Sequence, residues 1–206
     1  MTAHRLAARR STVAATVAGA ALLLAACGGN GTGPATHSGH GASTSASAPA
    51  AASAHNSADA SFARGMIPHH RQALRMAGLA AGRASSTEVR SLATKITQAQ
   101  DSEIKAMSGW LRTWGEPVPA DGGSGHSGHS MPGMMSDDDM AALEKVSGAA
   151  FDTAFLDLMV KHHEGAVAMA RTETARGANE DAKRTADGII ASQTTEITRM
   201  NTLRRE

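Results

Sequence analysis

Sliding the chain against itself by 93 residues brings two stretches into register without a gap. At that offset Asp59, Phe62, Met66, His69, His70, Ala73, Met76, Ala77, Arg83, Ala93, Ile96, Gln100, Glu103, Ile104 and Met107 recur as Asp152, Phe155, Met159, His162, His163, Ala166, Met169, Ala170, Arg176, Ala186, Ile189, Gln193, Glu196, Ile197 and Met200. These are fifteen identities in forty-nine positions, more than alanine-rich helices share by chance. Each copy reads as a helical hairpin, and two hairpins related by approximate twofold symmetry predict an all-α four-helix bundle.

Hydrophobic periodicity places helices at about 58–82, 87–113, 137–147, 150–176 and 180–204, the third being a short extra helix in the connection. Thr87, Ser136 and Asn179 are candidate N-caps, and Gly177 a C-terminal stop. No stretch alternates as a strand. Repeat one spans 59–113 and repeat two 152–206, joined through a Gly/Ser/His/Met-rich loop at 115–136. Pro68 falls inside the first helix where repeat two has Lys161, which predicts a local kink that frees the Arg64 carbonyl. With only Phe62, Phe151, Phe155, Trp110 and Trp114 as aromatics, the core must be built from Ala, Leu, Ile, Val and Met.

The polar members of the repeat carry its chemistry. At about 100° per residue, Met66, His69, His70 and Met76 lie on the apolar stripe of the first helix, and Gln100, Glu103 and Met107 on that of the second. Burying these imidazoles, carboxylates and amides costs several kcal/mol unless each finds a partner. Metal coordination supplies one.

Imidazole and thioether donors without a thiolate favour Cu(I), with Ag(I) as its mimic, over the oxygen-seeking Mg, Ca or Mn ions. The candidate ligands are therefore Met66, His69 and His70 with Met159, His162 and His163. Met66 and His70 are one turn apart, as are Met159 and His163, so each pair could clamp an ion from one helix. His69 and His70 project about 100° apart, which argues against their sharing one ion. Glu103, Gln100, Glu196 and Gln193 are expected behind the ligands, accepting imidazole N–H bonds. Met76, Met107, Met169 and Met200 read equally well as ligands or as core filler. In the loop, His126, His129, Met131, Met134 and Met135 could capture metal and pass it inward, or simply belong to a solvated linker.

The N-terminal segment bears on location. Arg5, Arg9 and Arg10 precede an uncharged, small-residue run and then Leu24-Ala25-Ala26-Cys27, which reads as a signal peptide over 1–26 with cleavage before Cys27 and a lipid on its thiol. Residues 27–57 are a Gly/Ser/Ala-rich tether, leaving 58–206 as the domain. The mature chain carries a net charge of −2 with neutral histidines, so nucleic acid is not an expected partner. Cys27 is the sole cysteine, so soft-metal binding must use the methionines, of which there are eleven. The expected location is extracytoplasmic, on the cell membrane through the lipid alone.

The strings Phe62-Ala-Arg-Gly-Met-Ile-Pro-His-His and Phe155-Leu-Asp-Leu-Met-Val-Lys-His-His-Glu-Gly-Ala-Val-Ala-Met-Ala resemble the secreted bacterial family known as domain of unknown function 305. So do the Gln-x-x-Glu-Ile-x-x-Met segments and Met131-Pro-Gly-Met-Met. The resemblance implies a ferritin-like four-helix bundle outside the cytoplasm, associated in some relatives with copper binding and tolerance. It implies no catalysis. The expected function is Cu(I) sequestration or relay without turnover. Two alternatives stand beside it: a ferritin-like metal oxidase, whose Glu-x-x-His pairs are absent here, and a partner-binding lipoprotein without metal.

Overall fold

The computed structural model describes residues 54–121 and 131–206. Five helices follow in order: α1 (Ser57–Arg83), α2 (Thr87–Trp114), α3 (Asp137–Lys145), α4 (Ala149–Arg176) and α5 (Glu180–Leu203). Helices α1 and α2 form one hairpin and α4 and α5 the other, with α1 packed on α4 and the short α3 in the connection. This is the predicted four-helix bundle. Among the described residues no strand forms, and the only β-type pairing is a single bridge between Ala84 and Gly148. No described helix is long and apolar enough to cross a membrane.

Local chemistry sets the helix ends. The Asn56 side chain accepts from the N–H groups of Ala58 and Asp59, and Asp59 returns a bond to the Asn56 N–H, so α1 starts on a capping box. Ser136 and Asn179 cap α3 and α5 as expected. Thr87 does not cap α2: the Ser86 hydroxyl accepts from the Val89 N–H and Thr87 is the first helical residue. Helix α1 runs on through Pro68.

The twofold relation extends into the core. Phe62, Met66, Met107, Ala166, Ala170, Ala186 and Ile189 lie in one apolar cluster, and their repeat mates Phe155, Met159, Met200, Ala73, Ala77, Ala93 and Ile96 in the other. Each cluster is thus the image of its neighbour and draws on both hairpins. Met76, Met107 and Met200 are fully buried here, where their long flexible side chains fill apolar space.

The repeated aspartates clasp the hairpins to each other. Asp59 accepts from the N–H groups of Ala178 and Asn179 at the opposite turn, the latter at 2.9 Å. Asp152 accepts from the Ser86 N–H at 2.9 Å and from the Ser85 hydroxyl. The repeated arginines sit at the same junctions, the Arg83 carbonyl accepting from the Gly148 N–H and the Arg176 carbonyl from the Asn56 side chain. Gly148 makes its contact with φ at +64°, a conformation that suits glycine.

One clasp holds an additional acid. Glu173, where repeat one has Ala80, is buried beside Asp59. Burial first, then the bond to Asp59 and its charge, push the Glu173 carboxyl up to about 8, so at neutral pH it is protonated and donates to Asp59. Burial opposes the Asp59 charge, but that donated proton and the N–H groups of Asn56, Asn179 and Ala178 hold its carboxyl below the usual range.

Glu173 binds its proton more tightly in the folded chain, so the stability that it contributes is complete below its ordinary value of 4.5 and is lost as pH rises to about 8. Urea unfolding at intervals from about pH 4.5 to 9 should record this loss, on the order of a few kcal/mol. Glu173→Gln keeps a donor for Asp59 and should flatten that part of the profile. Asp59→Ala, which strands the buried Asn179 N–H and the part-buried N–H groups of Asn56 and Ala178, should destabilise the domain by about 2–4 kcal/mol at neutral pH.

Candidate metal centre

His69 and His70 on α1 and His162 and His163 on α4 are fully buried where these helices face each other. Their repeat positions bring them together: the His69 and His162 rings lie 3.8 Å apart between centroids. Within each adjacent pair the separation is 6.5 Å for His69 and His70 and 6.4 Å for His162 and His163.

Each ring is anchored through Nε2. His70 donates to Glu103 at 2.7 Å and His163 to Glu196 at 2.6 Å, as the sequence predicts. His69 donates to the Pro132 carbonyl at 3.0 Å, and His162 to the His69 carbonyl at 3.1 Å. A carbonyl or carboxylate oxygen only accepts, so in the neutral rings the proton sits on Nε2 and the lone pair on Nδ1. All four Nδ1 atoms are buried without a hydrogen-bond partner in the protein. A buried nitrogen lone pair left open in this way is costly, and fourfold repetition points to a ligand.

Electrostatics keeps the inner rings neutral. Burial, then the charges of His70 and His163, push His69 down to about 3, with the bond to Pro132 offsetting only part of this. Burial and the charges of the other three rings depress His162 well below the ordinary histidine range. Both rings therefore present lone pairs to a cation at any physiological pH.

The remaining predicted residues divide. Met66 and Met159 are fully buried, one in each apolar cluster. Gln100 and Gln193 are buried but bond to no histidine: both polar atoms of Gln100 and the Gln193 Oε1 lack partners. Glutamate, three residues on, takes the imidazole N–H instead, because a carboxylate is the stronger acceptor. Met135 is bracketed by Gln72, whose amide donates to its carbonyl at 2.9 Å and accepts its N–H at 2.7 Å, and its side chain joins the core. Met131, Met134 and Met169 are half-buried. His126, His129 and Cys27 lie outside the described residues.

Residues 131–136 form a strap across α1 and α4. Gly165 is where it touches α4: a Cβ there would stand 2.0 Å from the Pro132 carbonyl oxygen. Gly133 lies on the same backbone with φ at +76°. Gln72 and Gly165, the two positions that seat the strap, are repeat mates that differ in identity. A search for identities passes over them, and the Pro132 carbonyl carries no side-chain signal.

Among the described residues no three His, Asp or Glu side chains converge as a ready-made metal cage. What converges is two imidazoles at a time, with a carboxylate behind one of them. A monovalent cation at each pair would be balanced by Glu103 or Glu196, whereas a divalent ion would leave a buried excess charge.

A four-helix bundle of two repeated hairpins with twin histidine pairs at their interface defines the class of the protein. The chain belongs to the family Domain of unknown function (DUF305), which it matches over residues 59–204. It is similar to a DUF305 protein of Streptomyces coelicolor described as secreted, at 39% identity over 71% of this chain and 91% of that one, with a TM-score of 0.64. It is also similar to CopM in its Cu(I)-bound form, at 33% identity over 71% and 95% of the two chains and a TM-score of 0.60. CopM in its Cu(II)-bound form matches at 36% identity over the same shares, with a TM-score of 0.63. Among curated proteins no match is found.

The carboxylates hold the outer rings by charge-assisted bonds. Glu103→Gln and Glu196→Gln should each lower metal affinity about 10–100-fold without unfolding the domain, as measured by competition against a chromophoric chelator.

Proposed function

We propose that this domain binds Cu(I) outside the cytoplasm, sequestering or relaying it without turnover. The observation that carries the reading is the set of four buried Nδ1 lone pairs with no protein partner. A metal–imidazole bond of roughly 2 Å to each of two rings on opposite sides of one ion separates their centroids by roughly 6 Å. The adjacent pairs, at 6.5 and 6.4 Å, suit such an ion, and the 3.8 Å contact of His69 with His162 leaves no room for one between them. Each adjacent pair is therefore assigned one ion, which revises the argument from helical projection that His69 and His70 diverge too far to share one.

Met66 and Met159, one turn before His70 and His163, supply the soft donor of each site. The Cu(I)-, Cu(II)- and Ag-bound forms of CopM support copper or silver as cargo, and the neutral imidazole and thioether donors favour the monovalent ion. Cleavage before Cys27 and lipidation of its thiol would hold the domain at the membrane surface, where free Cu(I) would be lowered.

Titration with Cu(I), Ag(I) and Zn(II) tests the assignment. Cu(I) should bind more tightly than Zn(II), and joint replacement of His69 and His70 by Ala should remove one of two equivalents. Replacing Met66 and Met159 with Leu should change stability by less than about 1.5 kcal/mol and lower Cu(I) affinity while leaving Zn(II) affinity nearly unchanged. A double mutant that competes for Cu(I) as well as the parent makes these methionines core filler. A parent that binds no soft ion overturns the copper reading.

A further inference from the structure

The repeat breaks its own symmetry on the face that the strap covers. Position 158 of repeat two is Leu, which packs against the apolar cluster that contains the fully buried Met76. Its mate in repeat one is Gly65, and the mate of Met76 is Met169, which remains half-buried. The missing side chain at Gly65 leaves a notch in α1. Two methionines from different elements reach it: a Cβ at Gly65 would lie 3.1 Å from the Met169 Cε and 3.6 Å from the Met131 Sδ.

The notch adjoins the candidate centre through one residue of backbone. Met131 precedes Pro132, whose carbonyl accepts the His69 Nε2–H. The strap cannot drift from this position easily, since Gln72 grips Met135 at one end and Gly165 receives Pro132 and Gly133 at close range. A partly exposed thioether pair is thereby fixed beside a buried imidazole pair.

We propose that Met131 and Met169 form an outer thioether site for a soft monovalent ion, through which that ion passes to the His69–His70 pair. The transfer is a ligand exchange: sulfur–metal bonds are replaced by nitrogen–metal bonds, the ion keeps its oxidation state, and on a neutral ring whose proton sits on Nε2 the ion meets the Nδ1 lone pair without a proton transfer. The inference rests on the reading of the histidines as an ion site. It adds a route, and it separates the paired Met131 from Met135, which is core. Thioethers are weaker ligands than anionic thiolates, so such a site would suit capture followed by release.

The test uses Ag(I), which is redox-inert, and protein labelled with ¹³C at the methionine methyl groups and ¹⁵N at the histidine rings. Substoichiometric Ag(I) should shift the Met131 and Met169 methyl signals, identified from Met131→Leu and Met169→Leu, together with the Nδ1 resonances of the histidines. The double methionine variant should load about tenfold more slowly from a chelator, yet reach the same equilibrium occupancy of the histidines. Gly65→Leu, which installs the residue of the other repeat in the notch, should slow loading in the same way. Its fold is checked by its thermal unfolding.

Histidine shifts with unmoved Met131 and Met169 signals and parental loading rates would overturn the outer site while leaving the proposed function intact. Methionine shifts with silent histidines would support the outer site as a soft-ion site, sink its role as a route inward, and refute the histidine assignment.

Discussion

Four imidazoles enclosed in one bundle must remain neutral or share positive charge in a medium that cannot screen it. The structure meets this constraint by giving every Nε2–H an acceptor while leaving every Nδ1 open. Two acceptors are carboxylates that reach partly into solvent, each 21% exposed, so their charge is stabilised by water at one end and by an imidazole at the other. The other two are carbonyls. Helices α1, α2 and α5 and the strap each supply one of those acceptors.

The approximate twofold symmetry explains why the centre is duplicated, and its failures explain why the two halves differ. His162 bonds the carbonyl of His69, but His69 turns to Pro132, because one strap crosses one face of the α1–α4 pair. Gly165 against Gln72, Gly65 against Leu158 and Glu173 against Ala80 are further departures. The first two pairs lie where the connection meets the bundle, an element that occurs once. The third lies at a clasp, where the added acid neutralises its contact with Asp59 by keeping a proton.

The stability of such a site comes from elements distant from it. Two twofold-related apolar clusters flank the interface, and the aspartate clasps tie each hairpin turn to the opposite first helix. With fixed ends and a close-packed interior, the ring positions are set before any ligand arrives.

By itself the sequence determined the helices, their pairing and the face on which Met66, His69, His70 and Glu103 lie, because 3.6-residue periodicity and a gapless repeat can be read along the chain. It also made the Glu103 and Glu196 contacts legible, as polar residues on an apolar stripe must find partners. It misplaced Gln100 and Gln193 as acceptors and left Asp59 and Asp152 without a role, since clasping the opposite turn depends on contacts about 120 and 66 residues apart. Only the tertiary structure decided that Nε2 is the anchored nitrogen, that the adjacent rings stand 6.5 and 6.4 Å apart, and that Met135 is core while Met131 and Met169 meet over Gly65. These outcomes hinge on ring tautomer, a backbone carbonyl and the path of a non-repeated strap. None of them leaves a periodic trace in the chain.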